Sequence, residues 1–155
     1  MLRLLRLRLR ARGRLRAARG VRVGRGARVA IAREARVVLG RDVSLGPDSR
    51  IEALGGVVHL HPGARLGERA VVVSHAGVEI GERAVVGDWA AVEGAAPTFA
   101  DPERPTRVQP LHTAPVTVGA GAVLGPHAVL GPGATIAAGA VVEPYAVVGA
   151  PASDA

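Results

Sequence analysis

From Val118 to Ser153 the sequence repeats every six residues: VGAGAV, LGPHAV, LGPGAT, IAAGAV, VEPYAV and VGAPAS. The first position of each hexad is a large aliphatic (Val118, Leu124, Leu130, Ile136, Val142, Val148), and the fifth is Ala without exception, from Ala122 to Ala152. An amphipathic helix repeats near 3.6 residues and a half-buried strand alternates at 2, so a strict period of six is neither. It describes a coil of short strands joined by tight turns, three hexads to a triangular turn, with the first-position aliphatics stacked inside. Ala at the fifth position fits where the wall leaves no room for more bulk. Gly at the second position, as in Gly119, Gly125, Gly131 and Gly149, is expected to turn the corner with a positive φ. Successive coils are expected about 4.8 Å apart, the spacing of paired strands.

The pattern extends upstream. Ile80, Val86 and Val92 each start a hexad, as do Leu60 and Leu66, and before them Leu39 and Leu45. The spacing widens to eight residues from Val72 to Ile80 and to nine from Ile51 to Leu60, so those corners are expected to bulge. One stretch, PTFADPERPTRVQPLHTAP at 97–115, has no hexad and five prolines. It reads as an extruded loop, and a loop of that length in a compact repeat is usually functional. A narrow aliphatic prism also explains why Trp89, Phe99 and Tyr145 are the only aromatic residues among 155.

Charge and composition then remove whole classes. The net charge of +7 is uneven: residues 1–36 hold 13 of the 20 arginines and a single acid, Glu34, and the remainder is acidic on balance. Sequence-specific DNA binding has no supporting motif, and too few rings are present for base stacking. Without cysteine there is no disulfide framework, Cys-based zinc site or thiolate nucleophile. No run of about 18 apolar residues is present to span a membrane. Arginine interrupts the N-terminal segment too often for a secretory signal. Every basic residue is Arg, and Lys and Asn are absent, which points to a GC-rich bacterial genome and a cytoplasmic protein.

Residues 1–20 read as an Arg-rich N-terminal cap. Arginine at every even position from Arg6 to Arg16 favours a strand with an apolar side. A basic amphipathic helix built on Leu2, Leu5 and Leu9, able to touch an anionic membrane surface, is the other reading. The repeat body is taken as 21–153.

These residues carry a resemblance to the hexapeptide-repeat acyltransferases. The segment DPERPTRVQPLHTAPVTVG is similar to the loop and returning strand of the maltose and sugar O-acetyltransferases. HPGARLGERAVVVSHAG resembles the histidine motif of serine acetyltransferases, and the run from Tyr145 to Ala152 resembles a closing coil. The resemblance implies an all-β protein, a single-stranded left-handed parallel β-helix of hexapeptide repeats with one extruded loop. It implies a homotrimer that moves an acetyl or other acyl group from acyl-CoA to a hydroxyl or amine of a small metabolite or sugar. His75 is the implied general base, with His112 as the alternate. Ala122, Gly131, Ala140 and Pro151 are the implied cofactor-binding positions, and no metal and no nucleic acid are implied.

Departures from the family pattern motivate the opposite reading, a catalytically silent ligand-binding or scaffold protein. The segment Gly94–Phe99 lacks the histidine of the sugar-acetyltransferase loop, Ser74 stands where the serine-acetyltransferase motif has Asp, and Ser153-Asp154-Ala155 lacks the usual basic residue. Glu79, Asp88 and Glu93 are the acids near enough in the repeat to assist a base. His59 and His61 flank Leu60 and so share one strand face. Together with His75 they suggest a three-histidine zinc site like that of γ-carbonic anhydrases, but the inserted coil between them speaks against stacking. Trp89 and His127 occupy turn positions and are expected to face outward. An exposed Trp89 suits either a ligand or subunit contact or a ring lying along its own prism.

Overall fold

The computed structural model describes residues 2–11 and 13–149, so Pro151 and the end of the last hexad lie outside the described residues. Among the described residues, three six-stranded parallel sheets form the faces of a prism. Face one stacks β1 (Leu15–Ala17), β4 (Arg36–Leu39), β7 (Val57–Leu60), β10 (Val78–Ile80), β15 (Val116–Val118) and β18 (Thr135–Ile136). Face two stacks β2 (Arg22–Val23), β5 (Ser44–Leu45), β8 (Arg65–Leu66), β11 (Val85–Val86), β16 (Val123–Leu124) and β19 (Val141–Val142). Face three stacks β3 (Arg28–Ile31), β6 (Arg50–Ala53), β9 (Val71–Ser74), β12 (Ala91–Glu93), β17 (Val129–Leu130) and β20 (Val147–Val148). The chain visits the faces in rotation, giving six coils. This parallel β-helix is the all-β architecture expected, and it is consistent with left-handed coiling.

The register lines up the aliphatics that the hexads mark. Leu39, Leu60, Ile80, Val118 and Ile136 form one ladder, Val23, Leu45, Leu66, Val86, Leu124 and Val142 a second, and Val29, Ile51, Val72, Val92, Leu130 and Val148 a third. The central rungs are completely buried, and so are the fifth-position Ala64, Ala70, Ala84, Ala122 and Ala128. Each apolar group removed from water stabilises the stack by about 25 cal/mol per Å², and each rung is covered by the rungs on either side.

Two expectations need correction. Positive φ belongs to the fourth position of the hexad: Gly121, His127, Gly133, Gly139 and Tyr145 lie between 60° and 77°. Gly119 and Gly125 at the second position answer a different demand, because a Cβ on Gly119 would stand 2.4 Å from the Ala138 nitrogen, and one on Gly125 2.6 Å from the Pro144 nitrogen. The next coil passes too close for any side chain. Gly119→Ala is therefore expected to cost about 1–3 kcal/mol through backbone displacement. Gly121→Ala, with open space around its Cβ, is expected to cost only about 1–2 kcal/mol of left-handed strain. Urea unfolding that ranked Gly121→Ala as the more damaging would contradict this division of roles.

The N-terminal segment is the second correction. Residues Leu2–Ala11 form helix α1, not a strand. The stretch 2–19 contains no β-branched residue, and its Leu, Arg and Ala all favour helix, so propensity overrides the short run of alternation. Gly13, at φ 81°, and the bond from the Arg14 N–H to the Ala11 carbonyl follow the helix end. The expected strand survives only as β1, which pairs with β4, so the first coil begins at Leu15 rather than at Val21. Helix α1 packs on the first coil, with Ala11 buried and Leu4 and Leu7 half-buried, while Leu2 and Leu5 stay exposed. Among the described residues no helix is long and apolar enough to cross a membrane.

The extruded segment is also ordered. β13 (Ala95–Pro97) and β14 (Leu111–Thr113) pair antiparallel and carry an arm away from the prism. Gln109 ties the tip together: its amide donates to the carbonyls of Asp101 and Arg104, and its oxygen accepts from the Asp101 N–H. Phe99, Val108 and Leu111 remain exposed on this arm.

Candidate functional site

The site develops at the corner between faces three and one, where the hexad is interrupted. β9 ends at Ser74, and His75-Ala76-Gly77 follow before β10 begins. Ser74 is fully buried; its hydroxyl donates to the Gly55 carbonyl at 2.8 Å and accepts from the Gly77 N–H at 3.0 Å. The backbone of His75 is held between glycines of the adjoining coils. A Cβ on Gly55 would lie 2.3 Å from the His75 carbonyl oxygen, and one on Gly94 3.1 Å from its nitrogen. The bulged corner is thus tightly positioned, and Ser74, standing in place of the motif's Asp, supplies the clasp.

His75 is half-buried, and its Nδ1 is buried without a hydrogen-bond partner. This governs its chemistry. A neutral imidazole carries one proton, so Nε2 is a free base only when Nδ1 holds the proton, and a buried N–H then wants an acceptor. No hydrogen bond or ion pair joins His75 to Glu79, Asp88 or Glu93 among the described residues. Asp88 instead accepts from the Glu68 N–H at 2.8 Å, and Glu79 faces other histidines.

The arm springs from the same corner one coil along, since Gly94 follows β12 and the Ala114 N–H donates to the Gly94 carbonyl just before β15. His112 sits on β14 opposite Ala96, exposed. Both implied histidines therefore belong to one corner, His75 in its wall and His112 on the projecting arm.

The implied cofactor positions lie in the later coils. Ala122 is wholly buried, with its N–H donated to the Gly119 carbonyl and its carbonyl accepting from Val85. Ala140 and Gly131 are half-buried, and their N–H groups donate to Ala137 and Val148. Their backbone N–H groups are engaged within the prism.

Sequence reasoning missed one constellation. Register places Glu79 of β10 beside His59 of β7. Glu79 Oε2 lies 2.5 Å from His61 Nε2 and 3.8 Å from His59 Nδ1, and the two imidazoles stack at 3.8 Å. Burial foremost, and then the neighbouring His61, hold the His59 imidazole below its ordinary pKa, with Glu79 pulling the other way. His75 is not part of this group. The signal was in the ladder: His59 and Glu79 each immediately precede a first-position residue, Leu60 and Ile80.

Trp89 faces outward as expected, half exposed, within a column of fourth-position side chains. The Arg69 guanidinium lies 4.7 Å from its ring, His127 stacks on it at 5.8 Å and Tyr145 on His127 at 4.8 Å. The ring lies along its own prism.

A family model for the bacterial transferase hexapeptide, of six repeats, matches residues 115–150. That match covers the last two coils, the part of the chain where the hexads run without interruption. Comparison of this hexapeptide-repeat protein with curated proteins gives no match. Its fold is similar to that of AntD, an N-acyltransferase from Bacillus cereus. A variant of AntD in complex with dTDP-4-amino-4,6-dideoxyglucose and coenzyme A is 16% identical, with a TM-score of 0.60, over 83% of this chain and 74% of that one. Another variant, in complex with dTDP and coenzyme A, is 17% identical with a TM-score of 0.63, over 81% and 72%. AntD in complex with dTDP and 3-hydroxybutyryl-CoA is 18% identical with a TM-score of 0.53, over 83% and 73%. At these identities the likeness is one of fold.

Proposed function

We propose that this hexapeptide-repeat protein is a CoA-dependent acyltransferase that acylates an amine or hydroxyl of a sugar-type or other small acceptor, with His75 as general base. The observation that carries this reading is the built corner. A histidine with an unpartnered buried nitrogen is clamped between Gly55 and Gly94 at the root of an ordered arm. The fold shared with an N-acyltransferase crystallised with coenzyme A and a dTDP-sugar supports the chemistry and suggests an amino-sugar nucleotide as the first acceptor to try.

In this scheme the acceptor's nucleophilic nitrogen or oxygen attacks the thioester carbonyl while His75 Nε2 takes its proton, and the collapse of the tetrahedral intermediate expels CoA thiolate. The acceptor that Nδ1–H lacks within one chain would come from a second copy. The active form is proposed to be a homotrimer in the cytoplasm. Phe99, Val108 and Leu111 on the arm, and the outward Val123 and Val141 of face two, are exposed apolar groups suited to covering by a second copy.

The test is thiol release from acetyl- and longer acyl-CoA against a panel of amino-sugar nucleotides and sugars. The chain has no cysteine, so every thiol detected is released CoA. Acceptor-dependent release from a species of three chain masses is the expected result. No release with any acceptor, together with no CoA binding by calorimetry, would favour the silent scaffold.

A further inference from the structure

We propose that His59, His61 and Glu79 form a binding site for one divalent transition-metal ion of the zinc type per chain, on the outer surface of face one. The donor set is two imidazoles and a carboxylate, each offering one ligand atom, all within 4.8 Å of one another. Borderline cations such as Zn²⁺ take this combination, commonly with three protein ligands and an open fourth position.

The backbone holds the three residues in place. His59 lies in β7 and pairs with Glu79 of β10 in parallel register, and the His61 N–H donates to the Ile80 carbonyl at 2.9 Å. Leu60 and Ile80, buried rungs of the same ladder, anchor the strands from inside. Only side-chain rotation is left to adjust. Ligand atoms around a tetrahedral ion with bonds of about 2.0–2.1 Å stand roughly 3.4 Å apart. The 3.8 Å from His59 to Glu79 is already close to that value, and the 2.5 Å from His61 to Glu79 opens by less than a bond length.

An ion pair accounts for this cluster less completely. One carboxylate oxygen faces two stacked rings, at 2.5 and 3.8 Å, so a hydrogen bond serves His61 and leaves His59 unused, whereas an ion engages all three. Outward residues flanking the cluster on this face include Val38, Val57 and Thr117, none of them a metal-type donor, so the donors are concentrated at this point. The third ligand differs from the three-histidine set weighed from the sequence, because His75 turns away at the corner while Glu79, four residues on, comes into register. Bound there, the ion would clip the third coil to the fourth immediately beyond the corner that carries His75, with its open position facing solvent.

The test is titration of the full chain with Co²⁺, followed by displacement with Zn²⁺. A visible d–d band saturating at one Co²⁺ per chain and abolished by Zn²⁺ is expected. Loss of a ligand should weaken binding by at least about 100-fold, the upper range for losing a mere supporting partner, in both His59→Ala/His61→Ala and Glu79→Gln. Glu79→Gln keeps the shape of the side chain, so its far-UV circular dichroism should match that of the parent. His127→Ala should bind as the parent does. No band at millimolar Co²⁺, unchanged affinity in Glu79→Gln, loss of binding in His127→Ala, or one ion per three chains would each overturn the proposal.

Discussion

His75→Ala is expected to lower kcat by about 10²–10⁴-fold, the contribution of a positioned acid–base side chain, while CoA binding stays within a few-fold. In the proposed scheme the imidazole is the group at the corner that takes the proton, and its backbone is already fixed by Gly55 and Gly94. Folding should survive, because removing a ring whose Nδ1 is buried and unpartnered also removes an unsatisfied polar atom. His112→Ala, on the exposed arm, is expected to alter turnover by less than about a tenth of that range on a logarithmic scale, since it lacks a built environment. Ser74→Ala separates position from chemistry. It loses the clasp to Gly55 and Gly77 and should reduce kcat while leaving the pH profile in place. Steady-state thiol release across pH distinguishes the three. If His75→Ala turned over at the parent rate, the base would have to be sought elsewhere on the prism.

Leu60→Ala is expected to be the most destabilising of the simple core truncations, at about 2.7–5 kcal/mol. Its side chain is completely buried between Leu39 and Ile80, and parallel ladders on both sides prevent the wall from closing over the cavity. Val147→Ala, 78% exposed on β20, should fall within about 0.5 kcal/mol of the parent. Because each coil touches only its neighbours, Leu60→Ala and Ile80→Ala share one cavity, and their effects should fall short of additivity, whereas Leu60→Ala and Leu130→Ala should add. Urea unfolding of the singles and both doubles measures this. A cost below about 1 kcal/mol for Leu60→Ala would mean that the ladder is not what holds the prism.

The ladders were legible because period six admits only one way of stacking large aliphatics, and Val118, Leu124 and Leu130 mark its three faces directly. What the period cannot convey is how far apart two coils' backbones run, so Gly119 and Gly125 look like turn makers when the cause is Ala138 or Pro144 overhead. The helical start was misread for a different reason: alternation over eleven residues is weak evidence beside the absence of any β-branched side chain. The metal-type cluster was hidden by the nine- and eight-residue corners, which made linear spacing a poor guide. Counting back one residue from Leu60 and from Ile80 would have revealed it. The motif singles out His75 as the base to propose, but the unpartnered burial of its Nδ1 is a three-dimensional property that no spacing encodes.

Trp89 is the sole tryptophan of the chain, and it is sandwiched between Arg69 of the third coil and His127 of the fifth. The molecule consequently carries an optical probe at its midpoint. Its emission depends on stacking across three successive coils and is indifferent to fraying of α1. Followed beside circular dichroism, it would tell whether the prism melts as a unit or unzips from its ends.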